Sequence, residues 1–301
     1  MRTSEHQDSG GLLDEHDWRP GRRRRRRWVG WFVVLVVLGG LVGGGLYAYR
    51  AVYGSVFSPS CTATASGSSV TFSPEQTANA ALIAGVSHQR ALPARAATIA
   101  IATSIQESKL LNITYGDRDS IGLFQQRPSQ GWGTKEQILD PIYSTNAFYD
   151  ALVKIDGYES MDITTVAQKV QRSAYPLAYA DHEQEGRILA SVLRGPSPAG
   201  LVCDLRPITQ VVDAAAVGAD LTAQTGVTPT QDGSVLTVAA TSADQAWMVG
   251  QWAVARAEAY GIDRVQVGDR AWHRDAPGSW SSGESSPSAT TVTIRLGAAR
   301  G

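Results

Sequence analysis

The chain has 301 residues, 43% of them hydrophobic and 18% charged, with a formal net charge of −1. That balance excludes a disordered chain and a general nucleic-acid binder, and the length suggests about two domains. The charge is unevenly placed: residues 1–50 hold nine Lys+Arg against five Asp+Glu, whereas residues 51–301 hold eighteen against twenty-three.

Residues 1–27 read as a cytoplasmic basic tail, polar and aperiodic to residue 21 and then six consecutive arginines, Arg22 to Arg27. From Trp28 to Tyr49 no side chain is charged, a stretch able to cross a bilayer core of roughly 30 Å at about 1.5 Å per residue. Arginines before an apolar span hold that end in the cytoplasm. Trp28, Trp31, Tyr47 and Tyr49 sit at its two ends, where amphipathic rings favour the interface. Residues 28–50 are therefore expected to be a single-pass membrane anchor in the lipid bilayer, with everything after it extracytoplasmic. The rival, a cleaved signal peptide, has a shorter apolar core and a small-residue cut site, which Arg50 interrupts here.

Outside the cytoplasm disulfides persist, and the only cysteines are Cys61 and Cys203. Neither has a Cys or His at metal-ligand spacing, so no metal is expected, and no cofactor motif is present. A bridge between them would close a loop of about 142 residues and tie together the ends of one domain, 61–203. Inside it Ser73-Pro74-Glu75-Gln76 is a capping box with proline at the first helical position, starting a helix to about Gln89. Pro93 opens a second helix, with Ala97, Ile101, Ala102, Ile105 and Ser108 at helical spacing, ending between Ser108 and Leu110. Asp140-Pro141 begins a third, Thr164 to Ser173 a fourth, and Tyr179 to Leu193 the last. Residues 204–233 read as a linker with one short helix. Residues 234–301 read as a small module of strand, helix, strand and strand, the last alternating through Val292, Ile294 and Leu296. The expected fold class is thus α+β: an N-terminal transmembrane helix, a mainly α domain and a small C-terminal α+β module. Trp272, His273 and Trp280 serve either as core or as a face for glycan or for an envelope protein partner.

The chemistry concentrates between Ile105 and Ser129. Glu107 closes the second helix, against the negative end of its dipole, and burial among Ile105, Leu110 and Phe124 would further disfavour its charge. A carboxyl with a raised pKa is what protonation of a glycosidic oxygen requires. The domain shows no Gly-x-Ser-x-Gly, no Cys–His pair with a free thiol and no phosphate-binding loop. A Glu near a helix end is ordinarily a solvated residue, so residue type alone does not assign it.

Four segments occur in a telling order: Glu107-Ser108, Gly116-Asp117-Arg118, Gly122-Leu123-Phe124-Gln125 and Ser173-Ala174-Tyr175. Together they resemble the lytic transglycosylases (SLT-like) and goose-type lysozymes of the lysozyme superfamily. The resemblance implies a lysozyme-like fold for the cysteine-bounded domain and Glu107 as the catalytic acid. It implies a sugar groove involving Ser108, Asp117, Asp119, Phe124, Gln125, Trp132 and Tyr175. Trp132 could equally staple its loop, and Asp117 and Asp119 are better suited to shape the turn by bonding backbone amides than to act in catalysis. The chain departs from the pattern at Phe124 (for Met), at Pro176 (for Asn) and at Gln126-Arg127, where goose-type enzymes place a second acid. A single acid suits the transglycosylase route, in which the sugar's own N-acetyl and 6-hydroxyl groups complete the reaction. The expectation is an enzyme that cleaves the MurNAc–GlcNAc β-1,4 bond of peptidoglycan strands. The alternatives are a hydrolytic lysozyme on the same fold and a non-catalytic module that binds glycan or an envelope partner.

Overall fold

The computed structural model describes residues 31–32, 35–48, 58–171, 176–276, 280–283 and 288–298, with backbone alone at 176–178. The chain divides into two compact units, Met1–Ser58 and Pro59–Gly301. In the first, residues 35–48 are helical. The expected anchor at 28–50 lies partly outside the described residues, and among those described no helix is long and apolar enough to cross a membrane.

The second unit opens with a small sheet that the sequence did not suggest. β1 (Ser60–Ala65) turns back into β2 (Ser68–Phe72), and β3 (Leu201–Asp204) pairs with the other edge of β1, giving the antiparallel order β2-β1-β3. The buried positions of β1 are Cys61, Ala63 and Ala65, side chains too small to write a strong period-2 signal. Cys61 and Cys203 are register partners across β1 and β3. They form the expected disulfide, with Cα atoms 4.0 Å apart.

Six helices follow: α1 (Pro74–Gln89), α2 (Ala94–Ser108), α3 (Lys135–Leu139), α4 (Pro141–Leu152), α5 (Ile163–Gln171) and α6 (Glu183–Leu193). The capping box at Ser73 forms in full, with Gln76 returning its side chain to the Ser73 amide at 2.9 Å. α2 is the central helix and touches α1, α4, α5 and α6. Its Ala96, Ala97, Ala100 and Ala102 are completely buried. Opposite them Gly186 of α6 comes so close that a Cβ there would stand 2.7 Å from the Thr98 carbonyl. Small residues thus set the helix spacing. The last helix starts at Glu183 rather than Tyr179: a 3-10 segment, Pro176–His182, precedes it. Glu183 and Glu185 mark the true start, since acids in a first turn oppose the positive dipole end.

Beyond β3 come α7 (Ala214–Thr225), β4 (Thr230–Asp232), β5 (Val235–Ala239), α8 (Ala243–Ala255), α9 (Ala257–Tyr260), β6 (Ile262–Val267), β7 (Arg270–His273), β8 (Ser281–Ser282) and β9 (Thr291–Leu296). Their sheet has the antiparallel order β4-β5-β9-β6-β7-β8. The anticipated strand-helix-strand-strand set is present as β5, α8–α9, β6 and β9, joined by three shorter strands. Residues 204–233, anticipated as a linker with one short helix, carry the twelve-residue α7 and the edge strand β4. Val217 and Leu221 of α7 are buried. Its Gln224 accepts hydrogen bonds from Trp252 and Arg256, both at 2.8 Å. The stripe is only two large apolar residues wide, which is why Thr and Gln obscured it.

The sheet and the bundle share buried polar joints. Gln251 donates to Val192 O at 2.5 Å and accepts from Gly200 N at 2.8 Å, and Trp280 Nε1 donates to Leu201 O at 2.9 Å. Trp272 and Trp280 are both buried, so these rings are core and not a binding face.

Candidate active site

α2 ends because two successive non-glycine residues take left-handed backbone, Lys109 (φ 56°) and Leu110 (φ 59°). Such residues cost of order 1–3 kcal/mol each and persist only when their surroundings impose them. Here α1 supplies the constraint: Gln76 Nε2 donates to Lys109 O and Asn79 Nδ2 to Leu110 O, each at 2.8 Å. The Leu110 side chain is fully buried. The helix therefore stops at a defined place, with Glu107 in its last turn.

Ser108 is buried, and its hydroxyl donates to Leu123 O at 2.7 Å. Ser104, one turn earlier, donates to the same carbonyl at 3.0 Å. Ser104 and Ser108 thus fasten the Gly122–Gln125 segment to the helix bearing the acid. Single Ser→Ala changes at 104 or 108 are expected to lower stability by about 0.5–1.5 kcal/mol. The double change should exceed their sum, because it leaves a buried carbonyl unpaired; urea denaturation of the three variants measures it.

The intervening loop is built around Gln125, whose Nε2 donates to Tyr115 O and Gly122 O, both at 3.3 Å. Gly116 has to be glycine: a Cβ would lie 1.9 Å from Gln125 Oε1 and 2.6 Å from Ser120 O. Asp119 is committed to the same loop, accepting from Arg127 Nε at 2.7 Å and Ser129 N at 2.8 Å. The Ser129 amide first, and then Arg127, hold its carboxyl far below the usual carboxylate range. Asp117 projects into solvent. Phe124 is fully buried and stacks on Phe148 at a centroid distance of 4.6 Å. Gln126, standing where a second acid was considered, is buried and donates to Ser144 O at 3.0 Å. Trp132 is partly buried against the core and also lines an open pocket.

Glu107 itself is partly buried. Tyr179 donates its hydroxyl to Glu107 Oε1 at 2.6 Å. Gln171 hydrogen-bonds the same carboxyl and donates Nε2 to Phe124 O at 2.6 Å. Burial raises the Glu107 pKa and outweighs the two hydrogen bonds, which lower it. The net direction is upward, as a proton donor needs.

The structure thus joins Glu107, Ser108, Phe124 and Gln125 through short links and sets Asp117, Asp119 and Trp132 farther along the loop. Tyr175 lies outside the described residues. Tyr179 and Gln171 were not anticipated. For Tyr179 a signal existed, since Ala178-Tyr179 repeats the dipeptide Ala174-Tyr175 four residues on; nothing marked Gln171. Among the described residues no three His, Cys, Asp or Glu side chains converge as metal ligands would. No protein-family description and no curated protein matches the chain.

Proposed function

We propose that the protein is a membrane-anchored, extracytoplasmic enzyme that cleaves the MurNAc–GlcNAc β-1,4 bond of peptidoglycan strands by the lytic transglycosylase route. The observation that carries this reading is a single half-buried carboxyl with a raised pKa, Glu107, held by Tyr179 and Gln171. Neither nearby aspartate is suited to activate water: Asp119 is sequestered by Arg127 and Ser129, and Asp117 is solvated. An inverting hydrolase needs a second carboxylate across the sugar, and a retaining one needs a carboxylate nucleophile unless the sugar's own N-acetyl group takes that part. With neither aspartate available, the N-acetyl group would take it here and Glu107 would act twice.

The sequence of steps follows. Protonated Glu107 gives its proton to the glycosidic oxygen as the C1–O bond breaks. The sugar's N-acetyl oxygen covers the positive C1. Glu107, now a carboxylate stabilised by the Tyr179 hydroxyl, accepts the proton of the sugar's own 6-hydroxyl as that oxygen bonds to C1. The product is a 1,6-anhydro end, and no water is consumed. Anchorage rests on the uncharged stretch from Trp28 to Tyr49 behind six arginines, which would hold the unit Pro59–Gly301 against the wall outside the membrane.

Tyr179→Phe tests the role of the acid. The lost hydrogen bond favours the ionised carboxyl, so its removal raises the Glu107 pKa and keeps the donor protonated to higher pH. The alkaline limb of the pH–rate profile should therefore move to higher pH. A limb that stays in place or moves down would contradict Glu107 as the proton donor.

A further inference from the structure

The 3-10 segment Pro176–His182 delivers Tyr179 to the acid and packs against α2, α5 and α6. A 3-10 helix turns once in three residues, so side chains three apart fall on one side of it, and its own hydrogen bonds are poorer than those of an α-helix. Tyr179 and His182 are three apart. Both reach α2, and at adjacent residues. The Tyr179 hydroxyl donates to Glu107 Oε1 at 2.6 Å, and His182 Nε2 hydrogen-bonds Gln106 Oε1 at 3.1 Å. The other ring nitrogen, Nδ1, lies 2.6 Å from Glu185 Oε2 in the first turn of α6. Glu183, the other acid of that turn, is taken by Arg95 at 2.6 Å, which leaves Glu185 to orient the ring. His182 thus ties together the end of α2, the 3-10 segment and the start of α6.

We propose that His182 is a positioning residue for Glu107, pinning the 3-10 segment to Gln106 and so setting the reach of the Tyr179 hydroxyl to the acid. The inference rests on the reading of Glu107 as a proton donor, to which it adds the support. Burial places the Tyr179 ring in the core, but the strength of its hydroxyl bond depends on distance and angle, and these follow the height of the segment over α2. Gln171 approaches the same carboxyl from α5 and is held separately, donating to Phe124 O at 2.6 Å. Loss of His182 therefore acts on the acid through Tyr179 and not through Gln171. Because the Tyr179 bond favours the ionised carboxyl, a loosened segment lets Glu107 hold its proton to higher pH.

The test follows the Glu107 carboxyl directly. Full-length chain in detergent, with isotope-labelled glutamate carboxyls, is titrated by NMR, the Glu107 signal being the one that Glu107→Gln removes. His182→Ala and Gln106→Ala are each expected to raise the titration midpoint, in the direction of Tyr179→Phe and by no more than that change does. Adding either to Tyr179→Phe should move the midpoint no further. Gln106 is exposed, so Gln106→Ala decides the matter if His182→Ala does not fold. A role confined to stability would lower the melting temperature of His182→Ala and leave the midpoint where the parent has it, and that result would overturn the proposal. So would a shift that adds to the one from Tyr179→Phe, since His182 would then act on the acid by another path. Failure of the glycosidase reading would appear separately, as cleavage by the parent chain that Glu107→Gln leaves undiminished, because the carboxyl titration needs no substrate.

Discussion

Glu107→Gln is expected to raise stability at neutral pH while reducing glycosidic cleavage by about 10²–10⁴-fold, the usual worth of a positioned proton donor. The two effects have one origin. Burial lifts the folded-state pKa of Glu107 above its ordinary value of 4.5, so the folded chain binds this proton more tightly than the unfolded chain does. The stability attached to a raised carboxyl pKa is fully present below the unfolded value and is lost as pH rises through the folded one. At neutral pH this buried acid is therefore a burden on the fold, and glutamine, uncharged and able to accept from Tyr179, removes it. Melting curves should show the variant more stable near pH 7 and indistinguishable from the parent at about pH 4. A variant less stable than the parent at neutral pH would mean that Tyr179 and Gln171 outweigh burial, and that Glu107 is not poised to donate a proton.

Loss of the Cys61–Cys203 bridge carries the second large effect. Its 142-residue span encloses α1 to α6, and β1 and β3 meet at the bridged positions. Replacing both cysteines by alanine should cost about 2–5 kcal/mol, which for a unit of this size lowers the melting temperature by about 5–15 °C. Reductant should shift the parent chain by a similar amount and leave the double variant where it is. β3 also leads directly into the C-terminal half, whose Trp280 bonds Leu201 O. Weakening that strand should therefore lower the protection of both sheets together in hydrogen exchange.

The long helices of the bundle were legible because their signals are local and redundant, whereas the five-residue α3 was not expected. Ser73, Pro74 and Gln76 announce α1 by capping chemistry alone, and the alanines of α2 announce a helix closely surrounded by others. β1 and α7 were not legible because each buries few or small side chains, and their stability comes from partners distant in sequence. Cys203 opposite Cys61 and Trp252 against Gln224 are such partners. The candidate site divides in the same way. Glu107 was singled out by the resemblance, since helix position and expected burial point to a raised pKa without assigning a role. Ser108 and Phe124, assigned to the groove by resemblance, turn out to have buried side chains that brace it, one through Leu123 O and the other against Phe148. Tyr179 reaches Glu107 across 72 residues of sequence. It does so from a 3-10 segment, a geometry that periodicity cannot register because a helical pattern was expected there.

The most direct test of the central claim is product analysis. Purified full-length chain is incubated with isolated peptidoglycan, and the released fragments are weighed by mass spectrometry. The account predicts soluble muropeptides ending in 1,6-anhydro-MurNAc, lighter than the hydrolysis product by one water. Reducing MurNAc ends, or no release beyond that of the Glu107→Gln variant, would contradict it.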